Sequence, residues 1–251
     1  MKKLPVVKII YGAFVLPLYG ISEFSRALAI PTLILVCAWA AWLFIEPPGL
    51  LLNLVYNLVY IAAFSYFAIT CHRLILVVDK TLFTISSFNF KRFIWFFGWL
   101  IVVILLCAIL ELLIINIYVN TFAKPELTEI SKEAINKQME AWDHGVNIAK
   151  YIAYIPVMYI FGRFSLVFPA TAIDLKTSLK WSWVATRRNG IRILFIVGIF
   201  PWLMEALLSL VERDNATIIE QTIIGFLVFI CWAIGVFALS LSYIELQSVE
   251  Q

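Results

Sequence analysis

The sequence predicts an all-α integral membrane protein, a bundle of six transmembrane helices in a single domain over 1–251, with amphipathic helices at the interfaces. Three observations predict it. Six apolar segments, 27–45, 49–70, 93–118, 146–169, 191–211 and 219–244, approach or exceed the ~20 residues of helix that cross a hydrocarbon core about 30 Å thick. The composition is 63% hydrophobic and 14% charged, with a mean hydropathy of +0.95, whereas soluble domains are roughly half apolar and a quarter charged. Strand-like alternation is absent, and backbone in lipid must bond within its own segment, which leaves helices. The stretches between spans, 119–145 and 171–190, are too short to fold alone. A soluble catalytic module is thereby excluded.

In chain order, 1–26 reads as an interfacial N-terminal segment. Ile10, Phe14, Leu18 and Ile21 recur at helical spacing, Lys8, Glu23 and Arg26 lie elsewhere, and Tyr11 and Tyr19 suit headgroup depth. A re-entrant or seventh hydrophobic element is the competing reading. Pro5 and Pro17 interrupt the segment and no small-residue cleavage site follows, so it is expected to stay uncleaved. Glu46-Pro47-Pro48-Gly49 stops the first span and reverses the chain, which makes spans one and two antiparallel neighbours. Span two ends at Thr70-Cys71-His72-Arg73, ahead of the apolar run Leu74–Val78. Span three is ~39 Å long at helical rise and should tilt or protrude.

The next loop predicts an amphipathic helix over 126–143, with Leu127, Ile130, Ala134, Ile135 and Trp142 on one face and Gly145 as its cap. Such a helix either covers the outer end of the bundle or offers a docking face to a periplasmic or extracellular protein partner. Between spans four and five, Thr177 or Ser178 can cap a short helix that Asn189-Gly190 closes. Its Trp181 and Trp183 beside basic residues suit anionic headgroups. In span five, Pro201 is a candidate for a break.

Basic residues collect on one side. Lys2, Lys3, Lys8 and Arg26 precede span one, Arg73, Lys80, Lys91 and Arg92 lie between spans two and three, and Lys176, Lys180, Arg187, Arg188 and Arg192 join four to five. The alternate loops carry Glu46, Glu212 and Asp214, and five acids against three lysines over 119–145. This bias predicts that both termini are cytoplasmic. Cys37, Cys71, Cys107 and Cys231 fall in or beside spans, which predicts small core residues and no disulfide framework.

Ionisable groups within spans are costly and need a partner or a purpose. Glu111 and Glu205 lie in spans three and five, each ~10 Å inside the outer edge at helical rise. Together they could form an outward-facing acidic vestibule for a cation or proton, with one of the two protonated or paired. Separately, each would reach the interface or bond a neighbouring helix. Arg73 and Arg163 end the second and fourth spans. Beside Lys91 and Arg92 they could grip a phosphate through paired hydrogen bonds, or extend as anchors to the headgroups. No P-loop, His-Glu-x-x-His, paired Cys-x-x-Cys or Gly-x-Ser-x-Gly occurs. His72 and His144 fall on opposite sides of the bilayer, so no catalytic residue, metal site or cofactor is expected.

His72-Arg73-Leu74-Ile75-Leu76-Val77 echoes Gly162-Arg163-Phe164-Ser165-Leu166-Val167, as in proteins built from membrane repeats. The run Arg163 to Ala170, with Ser178-Leu179-Lys180-Trp181-Ser182 and Thr186-Arg187-Arg188-Asn189-Gly190-Ile191-Arg192, resembles a pattern of uncharacterised bacterial inner-membrane proteins. Those are similar to the membrane domain that accompanies some glycerophosphodiester phosphodiesterases. Cys71-His72-Arg73-Leu74-Ile75-Leu76 resembles a second signature of that group, which usually has an aromatic where Cys71 stands. The resemblance implies six helices and an inner-membrane location. It carries over neither phosphodiesterase activity nor a catalytic residue, since the catalytic domain has no counterpart here.

The reading is a non-enzymatic bacterial inner-membrane protein that interacts with lipid or supports envelope organisation. Membrane phospholipids are its expected partners, with Arg73, Arg163, Lys180, Arg187 and Arg188 at the headgroups; no nucleic acid is expected. The alternative is a small transporter or channel using Glu111 and Glu205.

Overall fold

The computed structural model describes residues 3–44, 49–77, 88–122, 132–210 and 218–247, all of whose regular structure is helical. The elements are α1 (Val6–Tyr19), α2 (Ile21–Phe44), α3 (Leu50–Leu76), α4 (Phe90–Phe122), α5 (Lys132–Phe164), α6 (Val167–Ala172), α7 (Leu179–Ala185), α8 (Gly190–Leu194), a π turn (Phe195–Ile199), α9 (Phe200–Ser209) and α10 (Ile218–Gln247). Among the described residues six helical stretches are long and apolar enough to cross a membrane: Ile21–Ala41, Leu50–Leu76, Phe90–Thr121, Gly145–Ala172, Gly190–Leu208 and Ile223–Gln247. Each coincides with one expected span. The turn at 45–48, the loop 123–131 with its Leu127 and Ile130, the acids Glu46, Glu212 and Asp214, and Lys80 lie outside the described residues.

Helix α4 is as apolar on its exposed side as on its buried one. On α4, Phe96, Leu100, Val103 and Cys107 are buried, while Leu105, Ile109, Leu112, Leu113 and Ile117 are exposed on the other side. A helix that is hydrophobic all round and yet outward-facing on one side has the pattern of a membrane span. At helical rise the 33 residues of α4 span ~50 Å, longer than the expected 26-residue span.

Helices α3 and α10 form the centre. One buried cluster joins α1, α2, α3 and α10 through Ile9, Leu35, Phe67 and Phe237. A second joins α3, α4, α5, α6 and α10 through Ala68, Phe96, Val157, Phe168 and Tyr243. Edge-to-face rings set the register between α2 and α10, with Phe24 against Phe237 and Trp39 against Phe229. Such pairs contribute about 0.5–1.5 kcal/mol beyond their buried area. Helix α5 meets α8 and the π turn through small residues. A Cβ on Gly198 would stand 2.9 Å from Met158 Cβ, and one on Gly162 would stand 3.0 Å from Ile193 Cγ2. Glycine permits this approach, as is common where helices pack without a hydrophobic drive.

Pro201 does mark an interruption. It has no N–H to donate, and in a regular helix its ring would strike the carbonyl four residues back. The chain before it widens into the π turn, where the Phe200 N–H donates to the Phe195 carbonyl. The Tyr154 hydroxyl donates to the Gly198 carbonyl at 3.3 Å.

Two expectations need correction, and the N-terminal segment is tied to the bundle in a way the sequence does not declare. The predicted separate helix over 126–143 capped by Gly145 is instead, from Lys132 onward, the first half of α5, which continues through a buried Gly145 without a break. A lone glycine costs a helix only about 1 kcal/mol and cannot end it by itself. The N-terminal segment leaves most of the stripe Ile10, Phe14, Leu18 and Ile21 facing outward, with Phe14 edge-on to Phe200. Ile9 and Ala13 are buried, while Phe14, Leu18 and Ile21 are exposed, because α1 packs on α10 with Gly12 against Leu241. Lys8 pairs with Glu245 at 3.3 Å, and the Leu4 N–H donates to Asn189 Oδ1 at 2.9 Å, so this segment is tied into the bundle. Finally, α7 is capped by Ser178, whose Oγ accepts from the Trp181 N–H at 3.2 Å, but it ends at Thr186. Asn189-Gly190 starts α8 instead of closing α7, and a Cβ on Gly190 would meet the Tyr159 ring at 2.9 Å.

Candidate functional site

Two cavities flank the contact of α4 with α6. The first lies at the end of the bundle that carries both termini. Asn89 opens α4, its Oδ1 accepting from the Arg92 N–H at 3.1 Å, the bond of a helix N-cap. That cap fixes the first turn and directs Lys91, Arg92 and Trp95. Opposite, α6 ends with two bonds, Asp174 N–H to Thr171 O and Leu175 N–H to Ala170 O, both 3.0 Å. This is the pattern of a Schellman closure, whose left-handed residue is usually glycine. Here it is Asp174, with φ 65°.

The backbone strain at Asp174 has a visible counterpart in its side chain. Arg92 Nε donates to Asp174 Oδ1 at 3.0 Å and Nη2 donates to Oδ2 at 2.5 Å, a fork that glycine could not accept. Arg92 is 8% exposed. Its Nη1 is buried without a hydrogen-bond partner, as is Thr177 Oγ1. The cavity beside them, about 660 Å³, is lined by Lys91, Arg92, Trp95, Trp99, Lys176 and Thr177 among others. Three cationic side chains and one carboxylate give its walls a net positive charge.

The two arginines expected at the headgroups are both turned inward. Arg73, 4% exposed, donates from Nη1 to the Ala172 carbonyl at 3.2 Å and lies within electrostatic reach of Arg92 and Asp174. Arg163, 3% exposed, donates from Nη2 to Trp183 O at 2.5 Å and from Nη1 to Arg187 O at 3.3 Å. Its Cζ stands 4.2 Å from the Trp183 ring centre, within the range of a cation–π contact. The Arg163 carbonyl in turn accepts from Ser182 Oγ at 2.8 Å. Lys180, Arg187 and Arg188 are exposed on the same end of the bundle. Of the five expected headgroup residues, these three are at the surface; Arg73 and Arg163 brace the chain beneath them. Sequence reasoning passed over Asp174, for which the signal was an acid five residues after Pro169 in a stretch otherwise basic and apolar.

The second cavity, about 490 Å³, lies inside the bundle among α3, α4, α5, the π turn, α9 and α10. His72 stands towards its terminal end, Nδ1 2.7 Å from Ser240 Oγ. Glu205 lies towards its far end, where Oε1 accepts from Trp232 Nε1–H at 2.6 Å. Tyr60, Phe64, Tyr154 and Trp202 line the wall between. Glu111 does not line this cavity. Among the described residues, no three of His, Cys, Asp and Glu stand together in a way that could hold a metal ion.

No protein-family model, curated protein or solved structure matches the chain.

Proposed function

We propose that this chain is a non-enzymatic, multi-pass protein of a bacterial inner membrane, both termini cytoplasmic, that binds an anionic phospholipid headgroup in the pocket between α4 and α6. The observation that carries the reading is Arg92 Nη1, buried without a partner beside that pocket. A buried donor left unmade costs about 1–3 kcal/mol, and a phosphate oxygen would satisfy it. Thr177 Oγ1 supplies a second unmade bond, and Lys91 and Lys176 supply charge. Trp95 and Trp99 on the same rim suit the bilayer interface. Lys180, Arg187 and Arg188 extend the basic face, where each cation near an anionic leaflet is worth about 1 kcal/mol. Arg73 and Arg163 act as positioning residues that hold the short helices carrying this face. The proposal keeps the resemblance to membrane domains that accompany glycerophosphodiester phosphodiesterases as a kinship of membrane domains, with no hydrolysis attached.

Native mass spectrometry of the protein released from nanodiscs of its own membrane lipids tests this. A retained anionic lipid is expected, lost in Arg92→Gln and in the surface double variant Lys91→Gln with Lys176→Gln, whose exposed side chains leave the fold intact. Retention unchanged in the double variant, or no lipid on the native protein, removes the reading.

A further inference from the structure

The internal cavity has a chemistry different from the basic pocket. Its lining contains one carboxylate, Glu205, and neither lysine nor arginine. Among the described residues the Trp232 indole is the hydrogen-bond donor that reaches Glu205, and it is neutral. A carboxylate held in apolar surroundings without a cation is costly; a positive ligand would offset that cost. An anion finds no countercharge here. A hard metal cation needs about six to eight oxygen ligands or retained water, and the lining offers mostly rings and aliphatic carbons.

Aromatic faces supply the complement. Tyr60, Phe64, Tyr154 and Trp232 stand around the Glu205 end, and ring faces attract organic cations whose hydration is weak. The volume of about 490 Å³ falls within the roughly 300–1,000 Å³ of pockets that enclose drug-sized molecules. The cavity also reaches the flank of the bundle, since Ile104 and Trp202 line it and are 37% and 43% exposed. A ligand dissolved in hydrocarbon could enter there without crossing either polar end.

We propose that this cavity binds one lipophilic monocation, an alkyl or aryl ammonium or phosphonium, taken from the hydrocarbon region, with Glu205 as its counter-ion and the surrounding rings as its walls. Entry from hydrocarbon rests on the membrane reading above; the site itself is separate from the headgroup pocket.

Equilibrium dialysis of labelled tetraphenylphosphonium against the full chain in nanodiscs, with empty nanodiscs subtracted, tests the assignment. Saturable binding at one site is expected. Glu205→Gln keeps an acceptor for the Trp232 indole and removes the charge, and should weaken binding at least tenfold. Gly235→Leu should do the same by filling space, because a Cβ there makes only ordinary contact with Pro201 at 3.5 Å. Glu111→Gln, a carboxylate outside the cavity, should bind as the native protein does. Neutral triphenylphosphine oxide should not compete. No saturable binding, undiminished binding by Glu205→Gln, or equal competition by the neutral compound overturns the proposal.

Discussion

Arg73 and Arg163 do the same thing at corresponding places: each ends a long helix and donates its guanidinium to carbonyls at the end of a short one. Arg73 bonds the last carbonyl of α6, at Ala172, and Arg163 bonds Trp183 in α7 and Arg187 just after it. The last carbonyls of a helix lack partners within it and carry its negative dipole end, so a buried cation satisfies both. The echo between His72-Arg73-Leu74 and Gly162-Arg163-Phe164 thus corresponds to a repeated bracing device.

Arg163→Ala should therefore act on stability before it acts on any ligand. It deletes charge-assisted bonds to two carbonyls and a stacked contact with Trp183, and bonds to charged groups are worth about 1.5–3 kcal/mol each. A loss of about 2 kcal/mol or more in a steric-trapping measurement is expected. Lys180→Ala, on the exposed face of α7, should stay within ~0.5 kcal/mol of the native protein. Equal losses for the two would show that Arg163 is not a brace.

Asp174 can be separated into its backbone and its charge. Asp174→Asn tolerates the left-handed conformation but no longer neutralises Arg92. Anionic lipid should then be held more tightly, on the order of tenfold, or ~1.4 kcal/mol. Lipid titration monitored by native mass spectrometry reads this directly. Weaker retention would mean that Asp174 shapes the pocket instead of restraining its charge.

The orientation has a clean readout at exposed positions. With Cys37 replaced by serine, Lys180→Cys should resist a membrane-impermeant maleimide in intact cells, and Thr121→Cys should react. Ser182 is unsuited to this use, since it is fully buried with its hydroxyl on the Arg163 carbonyl. The opposite labelling pattern would reverse the topology.

The six long helices were legible because length and apolarity are summed over many residues, and no single position decides them. Azimuth was not legible. Counting along the spans puts Glu111 and Glu205 at one depth, yet only the second lines the cavity, because depth follows from counting along a helix while facing depends on its rotation in the bundle. Arg163 reads from sequence as a helix-end anchor, and the feature that turns it inward, α7 folding back over it, lies about 20 residues downstream in a stretch too short for periodicity to declare itself. The fork between Arg92 and Asp174 joins positions 82 residues apart and left no local signal. The continuity of α5 through Gly145 was not legible because a glycine that ends a helix and one that merely weakens it look the same in sequence.

The π turn before Pro201 amounts to one extra residue wound into a helix. Each residue of a regular helix adds roughly 100° of rotation, so winding all of Phe195–Ile199 as an ordinary helix with no residue lost would swing everything beyond it by about that angle, whereas excising one position would let the winding become ordinary and leave the rest in place. In the first case Glu205 would leave the cavity wall while keeping its neighbours in the chain. Whether this bundle has an acidic interior or an acidic flank is therefore decided by how tightly one turn is wound, with every side chain the same.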